Sequence, residues 1–253
     1  MTVIVLRHGE SRSNVARTLA GRTPGVELTE RGLDQARELA DRLGGSQVRA
    51  IVRSPLLRCA QTVAPLAAAL DLEPVVDEHL AEVDYGEWTG RPIAELIDEP
   101  LWRVVQQHPS AVEFPGGERL AAVQYRAVRA IREHDRRLAE QHGTDVVWLA
   151  CTHGDVIKSV LADALGMHLD GFQRIVVEPA ALSVIRYTPG SAYVHRMNVT
   201  GGGPRTPIAH PADKAGTGQA PGGDVAQSGS EDNEAEGDDP QRTAARSQRD
   251  DRS

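Results

Sequence analysis

Three short, predominantly apolar runs, at residues 3–6, 48–52 and 146–150, constrain this chain more than any other feature. A strand with one wet face alternates apolar and polar residues, whereas a largely unbroken apolar run needs cover on both faces. Each run is followed at once by a turn or helix-start signal, and longer amphipathic segments separate them. Residues 29–43 carry Leu33, Ala36, Leu39, Ala40 and Leu43 as a helical stripe that Gly44-Gly45 stops. Ser54-Pro55 reads as an N-cap with proline at the first helical position, opening a helix through Cys59 and Thr62 that Pro65 should kink or end. Residues 118–142 form a long amphipathic helix, 155–165 a shorter one, and 176–187 and 192–199 two late strands. Strand and helix alternate, so the predicted fold class is α/β with a mainly parallel sheet.

The pattern stops after Val199. From Gly201 onward Ile208 and Val225 are the only large apolar residues, and the stretch holds ten acidic against six basic side chains, a net −4. Such a segment cannot bury enough apolar surface to offset the entropy of ordering its backbone. The expectation is one folded domain over residues 1–199 and a disordered acidic tail over 200–253. The whole chain carries a net −8 with no polybasic run, which argues against a nucleic-acid or membrane-surface binder. Two cysteines, Cys59 and Cys151, are too few for a disulfide scaffold and read as free thiols of a reducing compartment. The apolar run at the N-terminus is too short for a signal peptide or a membrane span, so a cytoplasmic location is expected. Arginine supplies nearly all the positive charge, Lys158 and Lys214 being the only lysines, a usage that fits a GC-rich bacterial genome.

In open α/β sheets ligands gather at the carboxyl ends of the strands, and three such ends are chemically loaded. The first strand runs into Arg7-His8-Gly9-Glu10-Ser11, the second into Ser54-Pro55-Leu56-Leu57-Arg58, and the third into Thr152-His153-Gly154-Asp155. Two histidines and two arginines would converge at one edge of an otherwise acidic protein. A transferring phosphoryl group spreads charge over its equatorial oxygens, and guanidinium forks match that geometry. Imidazole accepts a phosphoryl group when one ring nitrogen is free and the other donates a hydrogen bond that fixes the tautomer. Gly9 and Gly154 would let backbone approach the ligand, with free N–H groups at a turn or helix start. Nothing here requires a metal, and no paired-Cys, His-x-x-x-His or carboxylate cluster at ligand spacing appears. No cofactor is expected.

The order of these blocks resembles the histidine phosphatase superfamily, which includes the phosphoglycerate mutases. Leu6-Arg7-His8-Gly9-Glu10-Ser11-x-x-Asn14 is followed by Leu28-Thr29-Glu30-x-Gly32-x-x-Gln35-Ala36, then Ser54-Pro55-Leu56-x-Arg58-x-x-Gln61-Thr62. Leu80-x-Glu82-x-Asp84-Tyr85-Gly86-x-Trp88-x-Gly90, Pro115-Gly116-Gly117-Glu118 and Thr152-His153-Gly154 complete the set, over roughly residues 1–165. The resemblance implies a three-layer α/β/α fold of the phosphoglycerate mutase-like type and a role for each matched residue. His8 attacks phosphorus and becomes phosphohistidine. Arg7, Arg58 and His153 hold the phosphoryl oxygens, with Asn14 and the backbone N–H of Gly154 adding contacts. Glu82 protonates the leaving oxygen and then, as carboxylate, deprotonates water. Gly21-Arg22, in the loop after the first block, is a candidate second anion contact. His79, His108, His134, His142, His168, His195 and His210 lie in no motif and are assigned to surface or packing. Asp155 stands where many family members have a small uncharged residue; the favoured placement is at a helix N-terminus, meeting the macrodipole rather than facing the phosphate.

Residues 91–113 decide between branches. Mutase relatives carry a longer insertion with paired arginines and a lysine, whereas here only Arg91 and Arg103 are cationic. The phosphatase branch is therefore expected, with mutase-type phosphoryl transfer as the alternative and a non-catalytic phospholigand-binding module behind it. Residues 92–114, with Trp102, Val104, Val105, His108 and Phe114, are expected to roof the pocket as a partly apolar lid, and Trp88 to pack the Glu82 loop. The partner is a small phosphomonoester; a homodimer is compatible with the resemblance.

Overall fold

The alternation expected from the apolar runs is realised in the computed structural model, which describes residues 1–43, 46–143 and 146–201. Among the described residues the strands are β1 (Thr2–Arg7), β2 (Val48–Arg53), β3 (Val75–Val76), β4 (Val147–Thr152), β5 (Leu182–Tyr187) and β6 (Ala192–Val199). They form one sheet in the order β3-β2-β4-β1-β5-β6. The first four are mutually parallel, while β5 and β6 run antiparallel at one edge. The helices are α1 (Arg12–Ala16), α2 (Glu30–Leu43), α3 (Leu57–Leu70), α4 (Ile93–Leu96), α5 (Pro100–Gln107), α6 (Leu120–His142) and α7 (Gly154–Ala164). The chain is thus an α/β fold with a mostly parallel sheet and helices on both faces.

Side chains alternate across a strand, and β1 and β4 bury both sets. Val3, Val5, Trp148 and Ala150 join a core with Val123, Ala127 and Ile131 of α6 and Val156 and Val160 of α7. Ile4, Leu6, Leu149 and Cys151 join a second core with Leu39 and Leu43 of α2 and Cys59, Val63 and Leu66 of α3. Both cysteines are free thiols in that second core.

The register of the parallel strands builds the site. Arg7 is paired with Thr152, and Arg53 with Cys151, so β1, β2 and β4 end at one level. Backbone bonds extend this by one residue, His8 N–H to the Thr152 carbonyl at 3.0 Å and Ser54 N–H to the Cys151 carbonyl at 2.9 Å. His8, Ser54 and His153 therefore emerge side by side.

Several local expectations are corrected. α3 starts at Leu57, three residues after Ser54, whose hydroxyl lies 2.7 Å from His153 Nε2. Pro65 lies inside α3, which continues to Leu70. The strand expected over 176–187 is confined to Leu182–Tyr187, the preceding residues forming a loop across the strand ends. Gly44-Gly45 and the expected tail, apart from Thr200 and Gly201, lie outside the described residues, as does His210. Among the described residues no helix is long and apolar enough to cross a membrane.

Candidate active site

His8 leaves β1 as a buried residue whose Nδ1 lies 2.7 Å from the Gly9 carbonyl. A carbonyl only accepts, so Nδ1 carries the proton and Nε2 keeps its lone pair. Burial, then the nearby Arg58 and Arg7 guanidiniums, hold His8 well below the ordinary histidine range, so the ring stays neutral. The loop bearing it is fixed from below. Gly9 N–H donates to Thr62 Oγ1 at 2.9 Å, and Glu10 N–H to Gln35 Oε1 at 2.8 Å. A Cβ on Gly9 would stand 2.8 Å from the Gly32 carbonyl oxygen, and one on Gly32 only 2.1 Å from that of Glu10. Both glycines are required by this contact between α2 and the nucleophile loop.

Arg58, in the first turn of α3, is 2 % exposed. Its Nε lies 3.3 Å from His8 Nε2 and its Nη2 2.9 Å from the Gly21 carbonyl. Arg7 donates from Nη1 to the Val177 carbonyl at 2.6 Å, and burial lowers its pKa. His153 is fully buried, its ring centroid 5.2 Å from that of His8. It stands against His8 rather than on the cavity wall. Burial first, then Arg58, hold it well below the usual histidine range. Three buried side-chain nitrogens here have no partner: Arg7 Nε, Arg58 Nη1 and His153 Nδ1. Leaving such groups unpaired costs about 1–3 kcal/mol each.

Glu82 is buried, and its Oε1 accepts the Val83 amide at 3.0 Å. Burial above all, then the charge of Asp155, raises its pKa to about 7. Its backbone is clamped. The Glu82 carbonyl accepts from Arg22 Nε at 2.9 Å and from Arg126 Nη2 at 3.2 Å. Both arginines converge on Glu118, with Arg22 Nη2 2.9 Å from Oε2 and Arg126 Nε 2.9 Å from Oε1. Glu118 also accepts the Asp84 amide at 3.0 Å. The Pro115-Gly116-Gly117-Glu118 block is thus the seat of the Glu82 loop. A Cβ on Gly86 would lie 2.0 Å from the Pro115 carbonyl oxygen.

These groups meet in a cavity of about 370 Å³, lined by Arg7, His8, Asn14, Gly21, Arg58, Glu82 and Gly154 among others. Gly21 holds a positive φ of 49° and turns its carbonyl onto Arg58. Asn14 forms a capping box with Ser11, its Oδ1 accepting the Ser11 amide at 2.9 Å. That engagement leaves its amide NH₂ as the donor available to the cavity. Gly154 is the first residue of α7, presenting a helix-start N–H.

Arg22 is the correction among the expected residues. It does not line the cavity, because its guanidinium is engaged by Glu118 and the Glu82 carbonyl. It supports the acid rather than the anion. Asp155 is the second departure. It does stand in the first turn of α7, but it also faces the cavity, its Oδ2 accepting from the Tyr85 hydroxyl at 2.9 Å. The expected lid is likewise revised. Val105 and Phe114 are buried in the core with Trp102 packed on it, His108 is exposed, and of residues 92–114 only Ile93 lines the cavity. Trp88 is buried, 5.5 Å from Phe114 and 6.3 Å from Trp102 between ring centroids. His134 packs internally with Nε2 2.7 Å from Asp77.

Sequence reasoning missed Ser54 as a partner of His153, Arg126 and Glu118 as the clamp, and Tyr85, Lys158 and Gln173 on the cavity wall. Ser54, Tyr85 and Glu118 sit inside recognised blocks, which is the available signal. Arg126, Lys158 and Gln173 sit in none.

A family model described as histidine phosphatase superfamily (branch 1) matches residues 3–200. Phosphoserine phosphatase 1 of Hydrogenobacter thermophilus is 31% identical over 204 residues, covering 78% of this chain and 92% of that protein. A Mycobacterium tuberculosis protein described as bifunctional is 35% identical over 204 residues, 79% of this chain; the match spans only 54% of that longer protein. A solved mycobacterial glucosyl-3-phosphoglycerate phosphatase superposes with a TM-score of 0.71 at 25% identity, covering 79% of this chain and 99% of that one.

Proposed function

Since the chain belongs to the histidine phosphatase superfamily, we propose that it hydrolyses a phosphomonoester without a metal, through a phosphohistidine on His8 and with Glu82 as acid and base. The observation that carries this is the set of unpartnered donors, Arg7 Nε, Arg58 Nη1 and His153 Nδ1, gathered around a neutral His8. Donors left unpaired at a cost, beside two buried arginines, describe a receptor for a multiply charged oxyanion.

The chemistry balances in two steps. His8 Nε2 forms the N–P bond as the P–O bond to the leaving group breaks, and the Glu82 carboxyl protonates the departing oxygen. Arg7 and Arg58 neutralise charge on the equatorial oxygens, and the neutral His153 ring, the amide of Gly154 and the NH₂ of Asn14 add hydrogen bonds. Water then attacks phosphorus while the Glu82 carboxylate takes its proton, and the N–P pair returns to Nε2. A carboxyl with a pKa near 7 serves both directions at neutral pH.

Hydrolysis is favoured over mutase transfer by the cations at hand. Arg91 pairs with Glu99 at 2.8 Å and Arg103 with Gln107 at 3.2 Å, and neither lines the cavity. Beyond Arg7 and Arg58 the wall offers a substrate only Lys158, which is itself paired.

The test is phosphate release from a phosphomonoester panel by the full chain in EDTA, beside His8→Ala, with acid-labile phosphohistidine trapped on rapid quenching. EDTA-resistant release lost in His8→Ala supports the reading. Isomerisation of 3-phosphoglycerate without net release makes the protein a mutase, and undiminished release by His8→Ala removes His8 as nucleophile.

A further inference from the structure

Besides the phosphoryl-binding groups, the cavity lining holds two sets of residues. One is apolar: Leu19, Ile93, Ile175, Val176 and Val177. The other is a linked polar row. Tyr85 donates to Asp155 Oδ2 at 2.9 Å, Asp155 Oδ1 stands 3.5 Å from Lys158 Nζ, and Lys158 donates to Gln173 Oε1 at 3.0 Å. Gln173 is anchored in turn on the Val105 carbonyl at 3.3 Å, and Lys158 lies 5.3 Å from the Phe172 ring centroid. Lys158 is the only lysine before residue 214 in a chain otherwise supplied with arginine.

We propose that Asp155 and Lys158, steadied by Tyr85 and Gln173, form a leaving-group subsite for a compact polyhydroxylated alcohol, a sugar or cyclitol ring. This rests on the phosphatase reading above and adds the substrate class.

Three features carry it. Asp155 Oδ1 and Lys158 Nζ form a loose ion pair at 3.5 Å, and an ammonium with three protons and a carboxylate with several lone pairs keep hydrogen-bonding capacity within it, so an acceptor and a donor stand side by side. A hydroxyl both donates and accepts, and two adjacent hydroxyls answer that pair with one bond to each. Second, the pair is neutral as a unit. A further phosphate or carboxylate would meet Asp155 as well as Lys158, which disfavours bisphosphates and acidic leaving groups. Third, the apolar residues in the same lining suit the C–H face of a ring whose edge is polar. A volume of about 370 Å³ lies near the lower end of the ~300–1,000 Å³ typical of ligand sites, room for a phosphoryl group and one ring.

The experiment compares kcat and KM of the full chain, Lys158→Met and Asp155→Asn on glucose and mannose monophosphates, myo-inositol monophosphate, phosphoserine and nitrophenyl phosphate. The wild type is expected to favour a sugar or cyclitol ester over phosphoserine by about tenfold or more in kcat/KM. In both variants the ratio of kcat/KM for that ester to kcat/KM for nitrophenyl phosphate is expected to fall about tenfold, chiefly through KM, the scale of one or two lost hydrogen bonds. An unchanged ratio overturns the subsite, whatever the absolute rates do. Phosphoserine as the best substrate, losing most in Asp155→Asn, replaces a polyol with a zwitterion and overturns it too. Loss of nitrophenyl phosphate hydrolysis in His8→Ala, with either of these outcomes, leaves the phosphatase reading standing while the subsite fails.

Discussion

The Ser54 hydroxyl lies 2.7 Å from His153 Nε2, and the same oxygen accepts the Leu56 amide at 3.3 Å. A hydroxyl that already accepts from an amide has its own proton to give, and the near atom is Nε2. Donation there leaves His153 protonated on Nδ1, the nitrogen with no other partner. A residue that reads as a helix cap thus sets the tautomer of a phosphate ligand.

Replacing Ser54 by alanine should release that tautomer while leaving α3 intact, because Leu56 caps α3 without a side-chain bond. A neutral hydrogen bond of about 1 kcal/mol, misdirected in the transition state, corresponds to roughly a fivefold lower kcat/KM. Ser54→Thr should restore most of it. Steady-state kinetics on one phosphomonoester decide the matter, and wild-type kcat/KM in Ser54→Ala would remove the assigned role.

The pH dependence follows from the two shifted groups. His8 is held well below the ordinary histidine range, so it is the free nucleophile throughout the neutral region. Glu82 must carry its proton to assist the leaving group, and its pKa is about 7. kcat/KM for an alkyl phosphate should therefore fall about tenfold per pH unit above 7. Nitrophenyl phosphate, whose leaving group needs little protonation, should show a shallower limb. Substrate ionisation near pH 6 shapes only the acid side. A pH–rate series with both esters tests this; parallel alkaline limbs would assign the proton to another group.

Much of the site was legible because its residues sit where the strand pattern ends. Apolar runs located β1, β2 and β4; Arg7 closes β1, His8 and His153 follow β1 and β4 at once, and Arg58 sits in the first turn of the helix after β2. The acid Glu82 was legible only through its block, since it lies in a loop whose path no periodicity predicts. What the sequence hid are contacts between distant elements. Arg126 sits in mid-α6, where a charged residue reads as a solvated face, yet it reaches the Glu82 carbonyl 44 positions away. Arg22 reads as an anion contact from the sequence because Glu118, which takes it up, is 96 positions on. The apolar residues between 92 and 114 could serve equally as lid or core, and only packing against Trp88 and the sheet decides for core.

The raised pKa of Glu82 also carries a cost in stability. A carboxyl whose folded pKa exceeds its unfolded value binds its proton more tightly when folded. The native state therefore loses stability as pH rises from about 4.5 through about 7, and below that window the group contributes no loss. Glu82→Gln removes the ionisation. At pH 8 the variant should be more stable than wild type by on the order of 3 kcal/mol, and near pH 4 by almost nothing. It should also lose about 10²–10⁴ in kcat on alkyl esters. Thermal unfolding of both proteins at the two pH values tests it, and a pH-independent difference would mean Glu82 ionises normally.

The clamp around Glu82 makes the last prediction. Arg126 donates to the carbonyls of His79 at 2.6 Å, Ala81 at 2.8 Å and Glu82 at 3.2 Å, and pairs with Glu118. The pair is largely out of water, with side-chain exposures of 13% and 22%. Breaking one partner of such a pair strands the other, at about 3 kcal/mol, so Arg126→Met should lower the melting temperature by roughly 6–12 °C. Arg22→Met removes a contact that is 40% exposed and should cost much less stability. Both free the backbone of the acid, so both should lower kcat more on alkyl phosphates than on nitrophenyl phosphate, whose departure needs less from Glu82. Glu118→Gln, keeping the acceptor for the Asp84 amide, should fall between them. Melting temperatures together with kcat on the two esters separate the roles. A stability loss in Arg126→Met with equal kcat losses on both esters would make the clamp a fold element without influence on the acid.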